Sequence, residues 1–417
     1  MNPESILRKY FNKLNYDEVV QKLKEIGLFP QPKEGKKKRY SKQELLPYFL
    51  ELKKSVTEKE LISFVEYSVT KKSKGLPAYT HKLSNTSFFN GKGEKELRTY
   101  FKKEEHAVSS VYQVSSVLEC MDNNVVHLLL IVKEYEGQWL TGEKTLDRLT
   151  AINNCRVKID LSKKVVTIFS GDDEVHSIIR NFLTSIFRLP IVDCRILNVR
   201  SGLSWEDNVS YKTALFLDLV NNRLKVKNIG ASFKEIKFKV GNDEIKDVTI
   251  NGRDIINYPL ACEYITLGKD IVQFKTSISY KAFKLSCSFA LKGKALDILK
   301  IVVADTSNDE LRNEVIELIQ DEYIAMCEHG ISDLNNIKIL LEQVLIRFQE
   351  KEQFLSEIVE LNTVSNVEVI GNILGGVSSS HKQEIRKYLE NTRVILESIG
   401  YEDIDGVMSP IEKWLQK

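Results

Sequence analysis

The chain has 417 residues, 42% hydrophobic and 28% charged, with a formal net charge of +2. That length and composition fit a soluble globular protein of more than one domain. No apolar run approaches the roughly 18 residues that a bilayer span requires, which excludes a transmembrane reading. The near-neutral total conceals an asymmetry. Residues 1–90 carry 18 Lys/Arg against 10 Asp/Glu, a net of +8, whereas residues 301–417 carry 10 against 22, a net of −12. A basic front and an acidic tail point to a polyanion partner and say little about fold.

The start of the chain, MNPESILRKYFNKLNYDEVV, scatters charges through its apolar positions and lacks the apolar core of a secretory signal. A soluble intracellular protein is expected, cytoplasmic, or nuclear in a eukaryote. The six cysteines (120, 155, 194, 262, 287 and 327) are all at least 25 residues apart. Neither a zinc ribbon nor a disulfide framework is expected.

Residues 1–85 read as a basic helical domain. Asn2 precedes Pro3 at a helix start, and Asn15/Glu18, Ser41/Glu44 and Thr57/Glu60 have the spacing of capping boxes. Residues 105–304 read as an antiparallel, β-rich α+β domain. Turn residues split SSVLECMDNNVVHLLLIVKEY, CRVKIDLSKKVVTIF, TALFLDLVNNRLKVKNI, EIKFKVGNDEIKDVTING and EYITLGKDIVQFKTSIS into strand pairs. One helix is expected from Asp172, with Val175, Ile178, Ile179 and Phe182 on its apolar stripe. Residues 305–417 read as an acidic helical domain, with a long stripe through Ile337, Leu341, Val344, Phe348, Leu355 and Ile358. The fold class is therefore α+β: a small N-terminal helical domain, a central antiparallel sheet and a C-terminal helical bundle.

The densest charge is KEGKKKRYSK, residues 33–42, where Lys33, Lys36, Lys37, Lys38, Arg39 and Lys42 stand against Glu34. Pro30, Pro32 and Gly35 mark it as a loop. Lys71, Lys72 and Lys74 form a second cluster. Lysine and arginine at such density neutralise phosphates and release counterions, so these nine residues are the candidate nucleic-acid contacts. Tyr40 and Tyr79 are candidates for stacking on bases. Alternating Lys in RLKVK and KEIKFKV would place a basic face on strands, although lysine-rich exposed faces also resist aggregation.

Catalytic signatures are sparse. Asp218 followed by Glu235-Ile236-Lys237 has the spacing of a metal-dependent nuclease core, with the carboxylates on the metal and the lysine at the phosphate. That pattern is cheap in a chain so rich in Glu and Lys. No His or Cys pair has metal-ligand spacing, and no cofactor fingerprint occurs, so no metal and no cofactor are expected. Asp172, Asp173 and Glu174 near His176 complement a helix dipole. The expectation is a non-catalytic nucleic-acid-binding protein, DNA before RNA, within a larger genome-maintenance or defence assembly. The acidic C-terminal helices would meet a protein partner or a second copy. A nuclease using Asp218, Glu235 and Lys237, and an interaction scaffold, are the alternatives.

Overall fold

A computed structural model describes residues 3–30, 40–54, 56–137, 144–196, 209–241, 246–253, 255–293 and 296–417. The fold is α+β, and the chain divides by contacts into two compact units. The first holds residues 1–197, 223–232 and 272–330, and the second the remainder. Among the described residues, no helix is long and apolar enough to cross a membrane.

Helices α1 (Pro3–Phe11), α2 (Tyr16–Glu25), α3 (Leu46–Leu50) and α4 (Glu58–Val69) open the first unit. Asn2 lies outside the described residues, and the caps expected at Asn15 and Thr57 form. Asn15 accepts from the Glu18 backbone while Glu18 reaches back to Asn15, and Thr57 and Glu60 do the same. Pro47 sits in the first turn of α3, where its missing N–H costs nothing. Ile6, Leu7, Tyr10, Phe11, Phe49 and Val65 form the bundle core, which continues onto Leu149 and Ile152.

Next come β1 (Ala78–Leu83), α5 (Glu94–Phe101), β2 (Lys103–Ala107), β3 (Tyr112–Asp122), β4 (Val125–Tyr135), β5 (Leu149–Asp160), β6 (Val165–Phe169), α6 (Asp173–Ser185) and β7 (Ile191–Val192). The β3–β4 hairpin turns at Asn123 and Asn124, both at positive φ, a conformation that Asn tolerates and tight hairpins require. α6 starts where expected, with Asp172 capping the Glu174 and Val175 backbones.

Two strand expectations fail. TALFLDLV is helix α7 (Tyr211–Asp218), followed by a π-helical turn over Leu219–Arg223 and α8 (Leu224–Val226). A continuous apolar run does not distinguish a buried strand from a buried helix. EYIT belongs to α9 (Pro259–Thr266), which Pro259 opens in its first turn. The hairpin β8 (Gly230–Lys239) with β9 (Asp247–Asn251) does form, pairing Glu235 with Asn251 and Lys237 with Thr249. The chain ends with β10 (Asp270–Tyr280), β11 (Phe283–Lys292), β12 (Ile298–Ala304), α10 (Asp309–His329), α11 (Leu334–Ile373), α12 (Lys382–Ser398) and α13 (Ile404–Gln416).

The first unit is built on one sheet in the order β2-β3-β4-β5-β6-β1-β12-β11-β10, with β7 also on β1. Strand β1 lies inside the segment expected to be helical, and it pairs antiparallel with both β6 and β12. Alternation along the strands makes two different faces. Leu128, Leu130, Val157, Ile159, Val166 and Ile168 point towards α6, where Val175, Ile179, Phe182 and Leu183 bury them. Thr80, Thr167 and Lys158 point the other way, towards Gln320 and Glu317 of α10.

In the second unit, α9 packs on α11, and α12 and α13 close a small core with the end of α11 around Val367, Leu396, Met408 and Ile411. All six cysteines are free, and all but Cys120 are buried. Cys262 lies on α9.

Candidate functional site

The α10 face of the sheet holds a cavity of about 790 Å³, within the roughly 300–1,000 Å³ range typical of ligand sites. Its floor is the outward row of four strands: Cys120 of β3, His127, Leu129 and Ile131 of β4, Asn154, Arg156 and Lys158 of β5, and Thr167 and Phe169 of β6. One turn after another of α10 forms a wall, through Arg312, Asn313, Ile316 and Gln320. Residues Ser73 to Leu76 form the rim.

The cations here differ in how they are held. Lys158 is paired with Glu317 at 2.5 Å and Arg156 with Glu119 at 3.5 Å. Arg312 is paired with Asp309, and its Nε is buried without a hydrogen-bond partner. Lys74 sits exposed on the rim, and neither it nor Lys71 or Lys72 has a carboxylate partner among the described residues. Only the backbone of Lys71 is tied down, donating to the Ile152 carbonyl at 2.9 Å. His127 on the floor is held below the ordinary histidine pKa, first by burial and then by Lys158, so its imidazole is neutral at pH 7.

The other candidates are distributed as follows. Lys33, Lys36, Lys37, Lys38 and Arg39 lie outside the described residues. Lys42 donates to the Asn12 carbonyl at 3.1 Å and lies over the Phe11 ring, so its charge is engaged within the N-terminal bundle. Tyr40 packs edge-on against Phe29. Tyr79 is fully buried, which removes it as a stacking platform for a base. Arg223 and Lys227 are helix-associated rather than alternating on a strand, and both meet Glu322.

Asp218 ends helix α7 instead of sitting on a strand, and is completely buried. Its carboxylate accepts from the Ser332 backbone at 2.9 Å, the Ser332 hydroxyl at 2.8 Å and the Asn222 amide at 2.8 Å. These bonds fix the chain entering α11. Lys237 is paired with Asp247 across its own hairpin. The two-strand metal core requires Asp218 on a strand with free oxygens, and neither condition is met. Among the described residues, no three His, Cys, Asp or Glu side chains are grouped to hold a metal.

Sequence reasoning missed the polar chain on the α6 face. His81 Nε2 lies 2.8 Å from His176 Nε2, and His81 Nδ1 lies 2.9 Å from Asp193. Arg180 holds the other Asp193 oxygen at 2.9 Å. His176 stacks on Tyr79 at 4.0 Å, and the Tyr79 hydroxyl donates to Asp173, which also binds Lys292 and Lys300. Burial, then the neighbouring His81 and Arg180, lowers His176 to about 3. Burial lowers His81 against the pull of Asp193. For Asp173, burial alone would raise the pKa, but hydrogen bonds from Lys292, Lys300 and Tyr79 outweigh it and keep the carboxyl far below its usual range. An ionised Asp193 can only accept, so His81 donates from Nδ1, and its bare Nε2 accepts from His176. This neutral relay is enclosed, with both imidazoles buried.

Compared with known proteins, the chain matches no family model, and no curated protein sequence matches it.

Proposed function

We propose that this protein binds nucleic acid without cleaving it, and that phosphates are gripped at the rim of the α10-face cavity. The observation that carries the reading is the run Lys71, Lys72 and Lys74: exposed, and without carboxylate partners among the described residues, beside a cavity that also carries Arg156, Lys158 and Arg312. Cations already neutralised by carboxylates gain little from a phosphate, whereas free lysines release counterions when they bind one. The segment 33–39 adds five more cations, Lys33, Lys36, Lys37, Lys38 and Arg39, against one acid. DNA is the expected polymer.

The same reading makes the protein a subunit of an assembly. Leu355, Ile358, Val359 and Leu361 of α11 are exposed beside Glu357, and such apolar exposure on an acidic helix suits a partner surface. Sedimentation of wild type against Leu361→Glu reports on this part. A second species that Leu361→Glu removes supports it, and a monomer at all concentrations counts against self-association.

Binding is tested by fluorescence anisotropy with labelled single-stranded and duplex DNA and RNA from 50 to 300 mM salt. Replacing Lys71, Lys72 and Lys74 together by Gln is expected to reduce the slope of log K against log salt by about 0.7 per lost phosphate contact on a single strand. An unchanged slope and affinity would remove these lysines from the grip.

A further inference from the structure

We infer that the α10-face cavity admits one unpaired nucleobase, so that the protein selects single-stranded segments or frayed ends over intact duplex. This rests on the nucleic-acid reading above and assigns the occupant of the same site.

The lining divides by chemistry in the way a nucleotide does. Leu76, Leu129, Ile131, Phe169 and Ile316 offer apolar surface to a flat ring. Asn154 and Asn313 lie on facing sides, one on the sheet and one on the helix. Their side-chain amides make no hydrogen bond to protein among the described residues. Each carries a donor and an acceptor, the pairing that a base edge presents. His127 adds a neutral imidazole to the same floor. Three cations of the floor and wall, Arg156, Lys158 and Arg312, are paired with the lining carboxylates Glu119, Glu317 and Asp309, which leaves Lys74 on the rim, where a backbone phosphate would stay in water. A base inside a duplex is covered on both faces and paired along its edge, so it cannot enter between α10 and the sheet. An unpaired base can turn in while its phosphate remains at Lys74. The volume far exceeds one water, and a wholly apolar ligand would leave both amides unsatisfied.

The experiment compares a single-stranded DNA decamer with the same decamer carrying abasic sites throughout, on wild type and on Asn313→Trp. Asn313 is exposed on the helix, so the indole narrows the cavity without entering the core and leaves every lysine in place. For wild type the intact strand is expected to bind about 5- to 150-fold more tightly than the abasic strand, the range for one stacked base. In Asn313→Trp that ratio is expected to fall towards one with the salt slope preserved. Equal binding of the two strands by wild type, with a normal salt slope, overturns the base pocket and leaves the phosphate grip standing. A ratio that Asn313→Trp leaves intact also overturns it. Free adenosine 5′-monophosphate, titrated by calorimetry against both proteins, separates the two claims. Binding that Asn313→Trp abolishes, without any binding of the decamer, keeps the pocket and removes the polymer grip. Silence in every titration removes both.

Discussion

Helices α6 and α10 cover opposite faces of the same sheet, and the material beneath them differs. Under α6, Phe182 is 1% exposed and Ile179 and Leu183 are not exposed at all, with Phe182 and Phe187 edge to face at 5.1 Å. Even the polar groups there are paired in one chain, Arg180–Asp193–His81–His176, with Tyr79 and Asp173 following. Under α10, a cavity of about 790 Å³ remains, lined by the amides of Asn154 and Asn313 and by Lys74, none of which has a side-chain partner among the described residues. On the first face folding pairs nearly every polar group, Arg180 Nε being the one atom of that chain buried without a hydrogen-bond partner among the described residues. On the second, groups are left with hydrogen-bonding and charge capacity that the fold does not use, and this is where a ligand finds something to bind.

The contrast breaks most visibly through packing. Phe182→Ala on the sealed face should cost about 3–5 kcal/mol, because the site cannot collapse around the lost ring. Asn313→Ala on the open face should stay within about 0.5 kcal/mol, since the residue is exposed. Urea denaturation of the two variants measures both. Comparable losses would mean that the α10 face is packed as tightly as the other.

Acid should act next, and most strongly on the sealed face, where His176 is shifted furthest. In the unfolded chain His176 has its ordinary pKa near 6.5, and in the fold it is lowered to about 3. Between these values the unfolded chain binds the extra proton. Stability is therefore complete above about pH 6.5 and declines as pH falls, by about 1.4 kcal/mol per pH unit for this residue. His81 shifts in the same direction. The pair accepts one proton with its hydrogen bond intact, since a second would set two N–H groups against each other. Unfolding measured at pH 7.5, 6 and 5 should show wild type losing about 2 kcal/mol more than His176→Gln. Parallel declines would place the acid sensitivity elsewhere.

The two faces were also unequally legible in the sequence. Local signals carried through: the capping pair Asn15/Glu18, the Asn123–Asn124 turn and the helix start at Asp172 are set by neighbours within a few residues, and each formed. The apolar stripe of α6 was readable for the same reason. The helix at Tyr211–Asp218 was not, because a run apolar on all sides has no period to read. Pro259 did mark the start of α9, a signal that the turn at Gly268 obscured. The His81–His176 pair joins residues 95 positions apart and leaves no local trace. The cavity was half visible. Lys71, Lys72 and Lys74 stood out by density, and Arg156 and Lys158 carry the i, i+2 spacing of one strand face. Arg312 and Asn313 reach the site only because α10 folds back across four strands.

The finest test of the contrast compares two carboxylates that each meet lysine from a helix. Asp173 of α6, 48% exposed, is shared by Lys292, Lys300 and Tyr79, whereas Glu317 of α10, 40% exposed, meets Lys158 at one point, so the two differ in number of partners and not in burial. Glu317→Gln should change stability by less than about 1 kcal/mol, the usual worth of a part-exposed pair. It also frees Lys158 on the cavity floor. If that lysine reaches phosphate, the variant should bind single-stranded DNA more tightly and steepen the salt slope by about 0.7, one added contact. Asp173→Asn should do the reverse, lowering stability more than Glu317→Gln while leaving the affinity unchanged, because the lysines it releases lie on the face of the sheet opposite the cavity. Equal gains in affinity from both variants would show that net charge, and not the position of the freed cation, governs binding.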